Sequence, residues 1–276
     1  YSCTKLKKIN IPLSVEKIDD LTFFGCESLE EIEIPRSITS IGKASFSKCT
    51  SLKEIQFPKE LKTIGELVFE NCTKLSKITF SPGSNLESIG DNAFQKCSKI
   101  INIVIPSSVN SIGKKVFSEC TKLKKIDIFS TKIENISINT FNKCSSLQEI
   151  KIPLSVKNIL DYSFDGCSSI QNIIIPSNVK KIGNYSFSNC ENLESITIDT
   201  NSTECEVTSF NECTTLTKVN LSNNGKINKP NNTFNSIFPY CQIIKIINAT
   251  NISDNVFSNM ENLTTVILPD GKNISI

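Results

Sequence analysis

The chain has 276 residues, with 12 cysteines, a single methionine and neither histidine nor tryptophan. Its hydrophobic share of 38% is enough for a core, and no apolar run approaches the roughly 20 residues that cross a bilayer. A net charge of +2 argues against a nucleic-acid-binding protein, which carries a basic excess. No N-terminal segment resembles a signal peptide. Because the sequence starts at Tyr1 in the middle of a repeat, we expect a fragment or a processed product.

The cysteines recur at steps that are mostly 23 residues long, and a fixed period in this range predicts a solenoid. Cys205 is the one cysteine outside the series. From Cys26 onward, each cysteine of the series has a phenylalanine three residues before it. The series consists of Cys3, Cys26, Cys49, Cys72, Cys97, Cys120, Cys144, Cys167, Cys190, Cys213 and Cys241.

Each repeat carries the same order of apolar positions after its cysteine. Leu29 follows Cys26 by three residues, and Ile32 and Ile34 then alternate with polar residues up to Pro35. Alternation with a period of two predicts a short strand with one buried face, which proline ends because it lacks a donor N–H. A turn and a second apolar pair follow. The phenylalanine and the next cysteine then stand at helical spacing, which predicts one or two helical turns.

No single repeat can bury its apolar side alone, so neighbouring repeats must stack. The unit Leu-x-x-Ile-x-Ile-Pro-x-Ser-Val-x-x-Ile-Gly-x-x-x-Phe-x-x-Cys resembles the BspA-like class of leucine-rich repeats, over essentially the whole chain. That class occurs in surface proteins of anaerobic bacteria and of parasitic protists such as trichomonads and Entamoeba. The resemblance implies a leucine-rich repeat solenoid of about twelve repeats of 23 residues. It places a parallel β-sheet on the concave face and short helical turns on the convex face.

We expect residues 1–276 to form a single leucine-rich repeat domain that is a fragment of a longer chain. The repeats are regular over residues 1–190 and degenerate, with insertions, over residues 191–276. The step from Cys213 to Cys241 stretches to 28 residues, which predicts a loop insertion. Cys205 falls where other repeats have a core isoleucine, so we expect it to replace that residue.

Disulfides, metal binding and catalysis are all disfavoured. Equivalent side chains in stacked repeats point the same way rather than at each other, so buried free thiols in a cysteine ladder are the favoured interpretation. The chain has no Cys-x-x-Cys motif and no histidine, so we expect no metal and no cofactor. Histidine-dependent triads cannot form, and carboxylates on regular strands lack a pocket that would perturb their pKa values. We therefore expect no catalytic residue.

Strand alternation predicts the side chains that point outward from the main sheet, on the usual binding platform of a curved solenoid. Two interpretations stay open. These side chains either bind a partner or merely keep the sheet soluble, with Lys8 beside Glu31 and Glu54 beside Lys77 pairing across strands. The predicted partner-binding residues are Lys8, Glu31, Glu33, Glu54, Gln56, Lys77, Val104, Lys125, Asp127, Glu149, Lys151 and Ile174.

Asn-x-Ser/Thr sequons give weak support for a secretory route, because the chain is rich in all three residue types. The predicted N-glycosylation sites are Asn135, Asn184, Asn201, Asn220, Asn231, Asn248, Asn251 and Asn273.

Together these features predict a non-enzymatic protein-recognition or adhesion module, at the cell surface or secreted. Its expected partner is a protein or a host or matrix macromolecule, and not a nucleic acid. The alternative is a cytoplasmic protein-interaction scaffold, because reduced cysteines are stable in the cytosol.

Overall fold

The computed structural model describes residues 2–199, 203–222, 225–227, 234–252, 254–269 and 273–275. Within them the chain winds into a parallel β-solenoid of about eleven turns of about 23 residues. Each regular turn contributes two short strands, and the strands of successive turns stack into two separate ladders. The predicted parallel solenoid is confirmed. Most of the insertion predicted between Cys213 and Cys241 lies outside the described residues.

We call the first ladder the main sheet. In the described residues its strands form four hydrogen-bonded groups, within which parallel strands place equivalent residues side by side, as Lys8 with Glu31 and Lys125 with Glu149. The sequence repeat therefore fixes which residues pair across neighbouring strands. A slip of one residue would turn the buried isoleucines outward. The strands are Lys8–Asn10, Glu31–Glu33, Glu54–Phe57, Lys77–Phe80, Asn102–Val104, Lys125–Asp127, Glu149–Ile150, Asn172–Ile174, Ser195–Ile198, Lys218–Leu221, Ile243–Ile246 and Thr265–Ile267, with Asn273–Ser275 added antiparallel to the last.

The second ladder is formed by the apolar pair that follows the turn, and most of its strands are only two residues long. Cys205 lies in this ladder opposite Ile182 and is buried, so its predicted place at a core isoleucine position is confirmed. The strands are Lys17–Ile18, Ser40–Ile41, Thr63–Ile64, Ser88–Ile89, Ser111–Ile112, Asn135–Ile136, Asn158–Ile159, Lys181–Ile182, Glu204–Cys205, Gly225–Ile227 and Ala249–Ile252.

The predicted short helical turns on the convex side are wrong. In the described residues the single α-helix is Phe234–Ile237, and the convex side is otherwise built of tight turns. Alternate N–H groups there donate to the next turn of the solenoid, as Ala44 N does to Glu66 O at 2.8 Å and Phe46 N to Val68 O at 3.0 Å. A helix satisfies its N–H groups internally, so it would not form these hydrogen bonds between turns.

These convex turns require left-handed backbone at two positions in most repeats. The second position directly precedes the ladder cysteine and is occupied by Gly25 (φ 68°), Lys48 (φ 62°), Lys143 (φ 58°) and Gly166 (φ 74°), among others. Glycine adopts this conformation without steric cost, whereas a residue with a Cβ pays about 1–2 kcal/mol. The sequence does not predict the left-handed conformation at this position, because lysine, asparagine, glutamate and glycine all occur there.

Stacked phenylalanine rings occupy the centre of the core. One ring per turn, from Phe23 to Phe210, stacks on the next. The centroid distances range from 4.9 Å between Phe164 and Phe187 to 5.8 Å between Phe117 and Phe141. Offset stacking of this kind adds about 0.5–1.5 kcal/mol per pair beyond the area that the rings bury. The phenylalanine spacing seen in the sequence is thus the signature of one continuous stack.

The cysteine beside each ring links its thiol to the preceding turn. Cys49 Sγ donates to Phe23 O at 3.2 Å, and Cys97 Sγ donates to Phe69 O at 3.1 Å. A thiol is a weak donor, so this bond satisfies the one polar group of a side chain that otherwise packs as a small hydrophobe. The same bond is made by Cys72, Cys120, Cys144, Cys167, Cys190 and Cys213.

Three corners of the solenoid pair an aspartate with a glycine of the next turn. Asp20 Oδ1 accepts a hydrogen bond from Lys43 N at 2.6 Å, and a Cβ on Gly42 would lie only 2.5 Å from that oxygen. Glycine is required here because the backbone of the preceding turn approaches as closely, with Asp20 N only 2.6 Å from that Cβ position. The same arrangement recurs at Asp91 with Gly113 and at Asp161 with Gly183.

We expect Gly166→Ala to lower the free energy of unfolding by about 1 kcal/mol, because alanine is strained at a positive φ. A Cβ at this position would meet its nearest atom at 3.5 Å, so backbone strain and not a clash causes the loss. Lys143→Gly at the equivalent position is the matched control, and it should not destabilise the fold. Urea denaturation of both variants tests this, and equal losses would contradict the assignment.

Candidate binding surface

All twelve predicted partner-binding residues lie exposed on the outward face of the main sheet, which we call the main-sheet face. Successive strand residues alternate between faces, so the side chains form two rows with about 4.8 Å between neighbouring turns. Their role in binding stays a prediction. The first row contains Lys8, Glu31, Glu54, Lys77, Lys125 and Glu149, and the second contains Glu33, Gln56, Val104, Asp127, Lys151 and Ile174.

Four charges near the N-terminal end of this face are paired across adjacent strands, whereas Glu33 forms no ion pair within the described residues. Lys8 Nζ lies 2.6 Å from a Glu31 oxygen, and Lys77 Nζ lies 3.1 Å from a Glu54 oxygen, so both predicted pairings are confirmed. The hydrogen bond to Glu31 raises the pKa of the Lys8 ammonium. These residues line a groove of about 310 Å³. An exposed ion pair adds at most about 1 kcal/mol to the stability of the fold. The main effect of these pairs is that each charge neutralises its neighbour.

Charges in the central part of the face are not paired in this way. Lys125 lies directly opposite Glu149, yet the two form no ion pair within the described residues. Lys151 has none there either. The Asp127 carboxylate instead accepts a hydrogen bond from Phe129 N at 3.1 Å. The charged groups of Lys125, Glu149 and Lys151 are therefore available to an incoming partner.

Large apolar side chains are exposed in this central part. Val104 is 65% exposed, Phe129 48%, Leu154 63% and Ile174 69%. They come from four successive turns, at or just beyond the end of each strand. We call these four residues the central strip. A hollow of about 430 Å³ lies beside Val104, and one of about 170 Å³ lies beside Phe129.

Sequence reasoning identified Val104 and Ile174 but missed Phe129 and Leu154. Both missed residues follow the strand, where alternation with a period of two no longer applies. Phe129 stands where neighbouring repeats have proline, and Leu154 stands where they have serine. A large apolar residue at a polar or proline position of the repeat was the available signal.

The cysteines offer no reactive group on this surface. Cys3 is exposed, and the other eleven are buried. Burial raises the pKa of the Cys49, Cys120, Cys205 and Cys241 thiols to about 12. A neutral buried thiol is neither a nucleophile nor a metal ligand. The described part of the chain also contains no cluster of three or more residues suited to hold a metal ion.

The predicted glycosylation sites differ in accessibility. Asn248 and Asn251 are exposed. Three others are half-buried with a bonded side chain: Asn135 accepts from Asn158 Nδ2, Asn184 accepts from Thr208 Oγ1, and Asn220 donates to Thr197 Oγ1. Asn201 and Asn231 lie outside the described residues, as does the side chain of Asn273.

The family of this solenoid follows from its repeats. The family model for the BspA type leucine rich repeat region matches residues 1–124, 82–178 and 157–276, which together span the sequence. The chain belongs to the BspA-type leucine-rich repeat family. Leucine-rich repeat proteins of this kind are protein-interaction modules.

Several solved structures resemble this BspA-type chain. A leucine-rich repeat protein from Bacteroides ovatus is 26% identical, with 93% of this chain and 73% of that one covered and a TM-score of 0.68. A leucine-rich repeat protein from Eubacterium ventriosum is 18% identical, with 95% and 81% covered and a TM-score of 0.50. A leucine rich cell surface protein from Faecalibacterium prausnitzii is 22% identical, with 96% and 88% covered and a TM-score of 0.46. No curated protein matches the sequence.

The described residues of the BspA-type solenoid contain no helix with the length and hydropathy that crossing a bilayer requires.

We expect the BspA-type solenoid to lose stability as the pH rises from about 9 towards 12. The thiol of Cys120 has an ordinary pKa of 9.0, and burial raises it to about 12 in the folded chain. A group whose pKa is raised by folding stabilises the fold below the unfolded value, and this contribution is lost as the pH rises through the folded value. Urea denaturation across this pH range measures the loss.

Cys120→Ala is the matched control for that measurement. It removes one titrating thiol, so its deficit in stability relative to the unmodified chain should shrink as the pH rises. A deficit that stays constant from neutral pH to about pH 11 would contradict the assignment of a buried, raised-pKa thiol.

Proposed function

We propose that this chain is a non-enzymatic recognition module that binds a protein through the central strip. The observation that supports this best is the strip itself, because large apolar side chains are exposed in four successive turns, beside charges that form no ion pair within the described residues. Burying the remaining half to two-thirds of one such side chain in an interface stabilises the complex by about 1–2 kcal/mol. An exposed apolar patch bordered by polar groups is typical of an interaction site.

The contrast between the two parts of the main-sheet face favours the central strip over the N-terminal groove. Around Lys8 and Lys77, a partner would have to compete with ion pairs that are already formed. Around the strip, Lys125, Glu149 and Lys151 can orient a partner through complementary charges without breaking a bond. We therefore place Val104, Phe129, Leu154 and Ile174 at the centre of the interface and the N-terminal residues outside it.

A cell-surface or secreted location is the second part of the proposal, with adhesion to a host or matrix macromolecule as the role. It is supported by the resemblance to repeats of surface proteins and by the exposed sequons at Asn248 and Asn251. The alternative of a cytoplasmic scaffold is favoured by the thiols, since the buried ladder cysteines such as Cys49 and Cys97 are unbridged and a reducing compartment preserves them.

The location is tested by the intact mass of the protein from its native cells, alkylated under denaturing and non-reducing conditions. We expect added glycan mass, located at Asn248 or Asn251 by peptide mapping. An unglycosylated chain with all twelve thiols alkylated would favour the cytoplasmic scaffold instead.

The binding surface is tested by substituting Val104, Phe129 and Ile174 together with serine. Truncating an anchor residue at the centre of an interface costs about 2 kcal/mol or more, which is about thirtyfold in affinity, so we expect the triple variant to lose more than about thirtyfold. The readout is quantitative capture of proteins from the native environment, followed by measured affinity for each captured protein.

The matched control carries Glu31→Gln, Glu33→Gln and Glu54→Gln, which alter the N-terminal groove and leave the strip intact. It should retain the partner within about twofold, while both variants keep the far-UV circular dichroism of the unmodified chain. Equal retention by the strip variant would contradict the proposed site, and loss with the control alone would move the interface to the N-terminal groove.

A further inference from the structure

A row of lysines lies at the opposite edge of the main sheet, where the strands begin. Lys74, Lys99 and Lys122 each follow a ladder cysteine by two residues, in three successive turns, and all three are exposed. The phenylalanine rings of these turns stack 5.4 and 5.6 Å apart, so the lysines follow one another at one turn spacing. We call these three residues the lysine ridge.

The ridge lysines lack the close ion pairs that other lysines of the described solenoid have. Lys74 interacts electrostatically with the Glu30 carboxylate, but that carboxylate is already paired with Lys53. Ion pairs between adjacent turns neutralise lysines elsewhere, as Glu30 does for Lys53 at 2.6 Å. Within the described residues no ridge lysine forms such a pair. Lys124 and Lys125 add two further unpaired positive charges in the third turn. Like charges at adjacent positions repel, so this arrangement destabilises the free protein and favours binding of an anion.

Hydroxyl groups accompany the lysines turn by turn. Thr73, Ser98 and Thr121 directly precede the three lysines, and none of their hydroxyls makes a hydrogen bond within the described residues. Each of the three turns therefore presents one ammonium and one available hydroxyl. The surface repeats the same pair of recognition groups three times along a line.

We propose that the lysine ridge binds an acidic polysaccharide, with one acidic sugar unit against each turn. A sugar unit is about as long as one turn spacing, and it offers both an anionic group for the ammonium and hydroxyls for the threonine or serine. Nucleic acids fit less well, because the ridge has no aromatic or arginine side chain to recognise bases and phosphates, and the net charge of +2 lacks the basic excess that binding to a phosphate backbone uses. This site is separate from the central strip and does not rest on the proposed protein partner.

Heparin is the probe for the test, with its affinity measured by isothermal titration over a range of salt concentrations. The ridge variant carries Lys74→Gln, Lys99→Gln and Lys122→Gln. We expect it to bind heparin at least about tenfold more weakly, with a log–log salt slope reduced by about 2 because fewer counterions are released. Its thermal stability should be equal or higher, since like-charge repulsion is removed.

The matched control removes the same charge from three exposed, unpaired lysines that are not adjacent, through Lys17→Gln, Lys62→Gln and Lys180→Gln. It should bind heparin within about twofold of the unmodified chain. Equal losses in the ridge and control variants would overturn the proposal, because binding would then follow net charge alone.

Duplex DNA and poly-L-glutamate, at matched charge, test the class of ligand. Tighter binding of either one than of heparin would replace the polysaccharide with a nucleic acid or an acidic protein segment. The central-strip variant should bind heparin normally. Normal heparin binding by this variant shows that the two proposed sites are independent, so that one proposal can be wrong while the other holds.

Discussion

The stacking of turns at one strand spacing is the constraint on which the rest of this structure depends. Every group in one turn must fit against its equivalent about 4.8 Å away. Phenylalanine meets this condition because its rings stack with offset planes, and cysteine meets it because its small thiol reaches the carbonyl of the preceding turn. On the convex side, tight turns with left-handed residues such as Lys143 let backbone N–H groups donate to the next turn.

The same constraint organises the surface. Any residue type that recurs at one repeat position becomes a row, and neighbouring members of a row lie close enough to pair or to repel. Where opposite charges alternate, as at Lys8 and Glu31, the row neutralises itself. Where lysine repeats, as at Lys74, Lys99 and Lys122, the charge accumulates. Small differences between repeats therefore decide which parts of the surface remain available to a partner.

The core and the surface have separate roles in this solenoid. The buried positions repeat almost unchanged, and their thiols stay protonated, so chemistry at the cysteines is suppressed. The variable positions lie on the main-sheet face and at its two edges. Apolar side chains concentrate at one edge around Phe129 and Leu154, and positive charge concentrates at the other around Lys99. The two proposed binding surfaces thus lie at opposite edges of one sheet.

The sequence by itself determined the solenoid, its register, the buried cysteine ladder and the outward residues, because the period of 23 and the alternation within each strand are local patterns. Tertiary structure alone decided the convex turns, because two residues at spacing i, i+3 suit a helix and a tight turn equally well. It also decided that Lys125 and Glu149 stay unpaired although they lie opposite each other. Phe129 and Leu154 lie beyond the strand ends, where side-chain direction depends on how neighbouring turns pack and not on alternation.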